Sequence, residues 1–87
     1  MIHSALGLTG SVTAPHRLAA LTGRDVLAAG GTAIEAMVAM AATIAVVYPQ
    51  MNGIGGDAFW LVHRPGQDPV AISGAGRAAA LATPQWY

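Results

Sequence analysis

The chain has 87 residues, of which 54 % are hydrophobic and 9 % charged, with zero net charge and no cysteine. A soluble domain ordinarily carries about 25 % charged residues, so this composition predicts a fragment or subunit largely covered by other protein. The four arginines are scattered without aromatic interleaving, which speaks against nucleic-acid binding. Without cysteine there are no disulfides, thiolate metal sites or cysteine nucleophiles.

In chain order, Leu8 to Ala14 alternates apolar or small residues with Thr9, Ser11 and Thr13, a period of two that predicts a short strand ended by Pro15. His16 to Ala29 is helical in composition despite Gly23, and Gly30 is placed to close it as a left-handed C′ residue. Thr32 then stands at an N-cap with Glu35 at capping-box spacing.

A second helix is expected over Ala33 to Tyr48, stopped by Pro49. Ile34, Met37, Val38, Ala41, Ile44, Ala45 and Tyr48 form one apolar stripe; Ala36, Ala39, Met40, Thr43, Val46 and Val47 make the other side nearly as apolar. A helix apolar all round is expected to be an interior one. The apolar run is shorter than the roughly 18–20 residues that span a bilayer. No charged segment followed by an apolar core opens the chain, so no signal peptide is visible, and the compartment is left open between cytoplasm and periplasm.

After the glycine-rich loop, Ala58 to His63 predicts a strand, Pro65-Gly66-Gln67-Asp68 a turn, and Pro69 to Ser73 a returning strand, with a hairpin loop of four or five residues. The residues from Gly74 onward leave the sheet. The order strand–helix–helix–strand–strand is an α+β arrangement with a helix-covered sheet, and no internal domain boundary is marked within 1–87.

The sequence Gly53-Ile54-Gly55-Gly56-Asp57 lacks the Lys-Ser/Thr of a P-loop, and its order, helix before and strand after, reverses that of a dinucleotide fingerprint. Its glycines are expected to serve a tight turn beside a packed neighbour. His3, His16 and His63 share no metal-ligand spacing. Ser4, Ser11 and Ser73 lie in no nucleophile motif. Asp57, next to glycine, is expected to accept from backbone amides and fix the loop. Arg77 sits between small-residue runs, which leave room for a carboxylate in fork geometry. An internal salt bridge or a solvent-facing arginine fits the same surroundings.

Taken together, Asp25–Ala36 (DVLAAGGTAIEA), Val46–Phe59 (VVYPQMNGIGGDAF) and the small-residue segment around Arg77 resemble the N-terminal part of the large subunit of the gamma-glutamyltransferase (gamma-glutamyltranspeptidase) family, over about Gly10 to Tyr87. The resemblance implies an N-terminal nucleophile hydrolase with an αββα sandwich, made as a self-cleaving precursor. It implies that an N-terminal threonine of the small subunit cleaves gamma-glutamyl amides such as glutathione, passing the acyl group to water or an amine. That nucleophile would lie outside this chain, so the resemblance assigns it no catalytic residue, no metal and no cofactor. Its implied partners are the rest of the precursor and a small-molecule amide, with neither nucleic acid nor membrane.

One departure bears on specificity. Glutathione-cleaving members carry Arg-Glu-x-Ala-Pro in this region, with the arginine on the glutamyl α-carboxylate. Aligning that Ala-Pro on Ala78-Ala79 places Ala75 where the arginine belongs; Arg77 lies two positions later and the proline is missing. The segment is similar to a Gly-x-Gly-Arg-Ala-Pro branch with amidohydrolase-like and acylase-like members, as is Gly-Gly-Asp-Ala-Phe in place of Gly-Gly-Gly-Gly-Phe. Arg77 is the candidate substrate-binding residue. An amidohydrolase for a small non-glutamyl amide is therefore the alternative within the family, and a non-catalytic interaction module the alternative outside it.

Overall fold

The computed structural model describes residues 9–86. His3, Ser4, Leu8 and Tyr87, named in the sequence reading, lie outside them. The structure divides into two compact units, one ending at Ile54 and the other starting at Gly55.

The first unit is a helical hairpin of α1 (Arg17–Ala28) and α2 (Ala33–Val47). His16 caps α1: its Nδ1 accepts the Leu18 N–H at 3.1 Å, so the ring proton of the neutral tautomer sits on Nε2. At the other end, the Gly31 N–H donates to the Val26 carbonyl at 2.9 Å and the Gly30 N–H to the Leu27 carbonyl at 3.1 Å. This is a Schellman closure, and Gly30 takes the left-handed φ of +91° that it requires.

Thr32 and Glu35 form the expected capping box. The Thr32 hydroxyl accepts the Glu35 N–H at 3.1 Å, and Glu35 Oε1 accepts the Thr32 N–H at 3.3 Å. Thr32→Ala is expected to destabilise the complete protein by about 1 kcal/mol, read as a lower Tm, with Thr32→Ser close to wild type.

The two helices meet through small residues. Ala19 and Gly23 are the buried residues of α1; Ala36 and Met40 are those of α2. The Thr43 hydroxyl lies 3.2 Å from that of Thr22 and 3.0 Å from the Ala39 carbonyl. Since Thr22 donates its own proton to the Leu18 carbonyl at 2.9 Å, it is the acceptor when the two hydroxyls bond across the helices.

One expectation is corrected here. Thr9 to Ala14 forms no ladder among the described residues, because a strand needs a partner and none is paired with it. Within this chain α2 packs by its Ala36–Met40 side, while Ile34, Met37 and Val38 of the other stripe are exposed, as expected of a helix whose further cover lies outside these residues. The small residues on α1 select the packing side that periodicity alone did not.

The second unit is an antiparallel ribbon of β1 (Ala58–Val62) and β2 (Val70–Gly74), with Trp60 opposite Ile72 and Ala58 opposite Gly74. The connecting residues are 63–69, longer than the expected four or five. Pro69 has no N–H to give the ladder, so pairing begins at Val70. Inside the loop the Gln67 N–H donates to the Arg64 carbonyl at 3.1 Å, with Gly66 at φ +75° after Pro65, the residue order of a type II turn. Phe59 and Leu61 on one face, and Val70 and Ile72 on the other, are exposed. A short 3₁₀ turn at Pro84–Trp86 follows.

Candidate functional site

The residues with chemical reach in the second unit gather where the ribbon ends. Gly56 has φ +96°, a conformation that glycine adopts without strain, and it delivers the chain to Asp57 just before β1. Asp57 Oδ1 accepts the Gly76 N–H at 2.6 Å. The bond runs from one side of the ribbon's open end to the other, immediately beyond the Ala58–Gly74 pair. It fulfils the expectation that Asp57 binds a backbone amide. A carboxylate acceptor makes such a bond stronger than a neutral one.

The packed neighbour expected beside the glycines is not found among the described residues. A Cβ built on Gly55 or Gly56 would meet nothing within 4 Å, so among the described residues no packed neighbour requires them to be small. Gly56 is needed for its dihedral angle. Close approach belongs instead to Gly74, where a Cβ would lie 2.8 Å from the Ala58 carbonyl oxygen, and to Gly76, where it would lie 3.2 Å from Asp57 Oδ1.

Arg77, the sequence's candidate for substrate binding, follows Gly76 directly. It is exposed and has no salt bridge or hydrogen bond among the described residues. This leaves it outside the internal-salt-bridge reading as far as these residues go. A guanidinium presents donors in a fork that matches a carboxylate.

The other polar residues fall into structural places. His16 caps α1 and stands with its ring centroid 6.3 Å from that of Tyr48. Ser73 lies in β2 opposite Phe59. Arg24 pairs with Asp25 at 3.0 Å, but both side chains are about two-thirds exposed, so the pair adds little stability. Among the described residues no three His, Asp or Glu side chains gather as a metal-binding group, and no helix is long and apolar enough to cross a membrane. Sequence reading missed the cap formed by His16 and the Thr22–Thr43 contact; a histidine directly after Pro15 was the available signal for the first, and nothing local signalled the second.

The family model for gamma-glutamyltranspeptidase matches residues 19–87. The chain belongs to the gamma-glutamyltranspeptidase family. It is 53 % identical over 87 residues to the oxamate amidohydrolase proenzyme of Klebsiella pneumoniae subsp. pneumoniae, covering all of this chain and 16 % of that protein. It is 41 % identical over 88 residues to a glutathione hydrolase-like proenzyme of Bacillus subtilis, covering all of this chain and 17 % of that one. Among solved structures, the gamma-glutamyltranspeptidase from Pseudomonas nitroreducens complexed with L-DON matches with a TM-score of 0.83 and 36 % identity, over 90 % of this chain and 23 % of that one. The chain thus spans about a sixth of the curated gamma-glutamyltranspeptidase relatives it matches, and its two helices and two strands are an α+β part of that architecture.

Proposed function

We propose that this chain is the N-terminal segment of the large subunit of a self-cleaving amide hydrolase, and that Arg77 binds a carboxylate on the acyl side of the substrate. The observation that carries the reading is the exposed Arg77, held one residue beyond the Asp57–Gly76 bond within a chain of this family. The catalytic threonine belongs to the remainder of the precursor. Its hydroxyl attacks the amide carbonyl while its own α-amine takes the proton. The amine or ammonia leaves, and water or an acceptor amine releases the acyl group.

The surroundings support a fragment of an αββα sandwich. Both faces of the β1–β2 ribbon carry exposed apolar side chains, and so does the outer side of α2. Such surfaces call for cover from further protein, here the rest of the large subunit and the small subunit.

Two donor classes fit a carboxylate-binding arginine. A gamma-glutamyl amide is the one the family name supports. A small amide of the oxamate type is supported by the 53 % identity to an oxamate amidohydrolase proenzyme and by Arg77 lying two positions after the place of the usual arginine. The second set of observations concerns this segment's own departures, and it favours the small amide. Incubating the complete, matured protein with oxamate and, separately, with a gamma-glutamyl anilide decides between them. Ammonia release from oxamate without anilide release is the expected result; anilide release alone establishes the gamma-glutamyl reading. Turnover of neither these nor any other carboxylate-bearing amide by a matured enzyme rejects the proposal.

A further inference from the structure

We infer that Asp57 is a positioning residue for Arg77, and through it sets the preference of the enzyme for substrates with a carboxylate on the acyl side of the scissile amide. The inference rests on the reading of Arg77 given above.

The β1–β2 ladder ends at the Ala58–Gly74 pair. Beyond it, Ala75, Gly76 and Arg77 have no ladder partner, and the next backbone bond is that of the Ala82 N–H to the Ala79 carbonyl. Glycines stand on both sides of Ala75. An arm of this composition has wide conformational freedom, and an arginine at its end would lose much entropy on binding a ligand. Among the described residues, the one polar tie on that arm is the Gly76 N–H donated to Asp57 Oδ1 at 2.6 Å.

Two local features serve this tie. Gly56, at φ +96°, turns the chain so that Asp57 meets the arm. Gly76 has no Cβ, and one built there would stand 3.2 Å from the same carboxylate oxygen. Asp57 makes no salt bridge to Arg77. It therefore restrains the backbone next to the arginine without neutralising the guanidinium. Restraint before binding is what makes a positioned charge selective.

The test uses the complete, matured enzyme and reads a ratio: kcat/KM for the carboxylate substrate over kcat/KM for its carboxamide, with oxamate and oxamide as the pair, or a gamma-glutamyl anilide and its α-carboxamide if that is the class turned over. The ratio cancels the amount of correctly folded enzyme. Arg77→Gln is expected to lower it by at least tenfold, roughly the value of one charge-assisted contact. Asp57→Ala is expected to lower it by about five- to tenfold through KM, and to add little in the Arg77→Gln background. Asp57→Asn, which keeps an oxygen acceptor, is expected to recover most of the ratio. Should Asp57→Ala fail to mature, Asp57→Glu, which keeps the charge and displaces it by one methylene, is expected to lower the ratio about threefold or more.

An unchanged ratio in Arg77→Gln rejects the assignment of Arg77 itself. A lowered ratio in Arg77→Gln with an unchanged ratio in the matured Asp57 variants overturns the positioning role, as does an equal loss on both substrates.

Discussion

Gly23→Val is expected to destabilise the complete protein by about 2–3 kcal/mol, the upper part of the range for overpacked cores. Glycine inside a helix ordinarily costs about 1 kcal/mol relative to alanine, so a Gly23 without a packing role would be improved by substitution. The structure reverses that sign. Gly23 is buried in α1, and a Cβ there would lie 2.8 Å from Met40 Cγ and 3.2 Å from Val12 Cγ1. Met40 is flexible, but it is 3 % exposed and already fills the space between the helices. Valine brings two further methyl groups to the same place. The helices must separate, and the Thr22–Thr43 contact, now 3.2 Å, separates with them. Thermal melting and the extent of self-cleavage of the full precursor are the measurements. Gly23→Ala should fall between wild type and Gly23→Val, because its gain in helix propensity offsets part of the clash. A Tm for Gly23→Val at or above wild type would contradict the packing described here.

What the sequence disclosed was decided within a few residues. The Thr32–Glu35 box and the left-handed Gly30 depend on partners three to four positions away, and both stand where the spacing placed them. The acceptor role of Asp57 was legible from its residue type directly after a glycine pair, but its partner Gly76 lies 19 positions on and was not. The packing side of α2 was hidden for a different reason. Its periodicity offered two apolar sides, and the choice was made by Ala19 and Gly23 on another helix. The segment at Thr9–Ala14 has strand-like alternation and no partner to pair with among the described residues. Alternation reports which side chains share a face, whereas a ladder requires a second backbone. For the candidate site, the residue that carries charge was visible in the sequence, and the bond next to it became visible only when the ribbon brought Gly76 back beside Asp57.

Val38→Asp carries the second large effect, expected to destabilise the complete protein by about 3–5 kcal/mol, the size associated with an uncompensated buried charge. Val38 lies on the outer stripe of α2 with Ile34 and Met37, and in this chain it is 56 % exposed. Were that its full environment, aspartate there would face water and cost only its lower helix propensity, at most about 0.7 kcal/mol. The difference between the two figures measures whether further protein covers the stripe. The residues described bury only Ala19, Ala36 and Met40 as an apolar core, while Val46, Phe59, Leu61 and Ile72 all stay exposed. A chain with so small a core and so much apolar surface gains stability chiefly from what packs over it. Val38→Thr changes shape little and carries no charge, and should cost clearly less than the aspartate. The measurements are the yield of self-cleaved enzyme and its melting temperature. If Val38→Asp matures fully and melts with wild type, the outer stripe of α2 faces solvent in the whole molecule, and the precursor must cover this segment elsewhere.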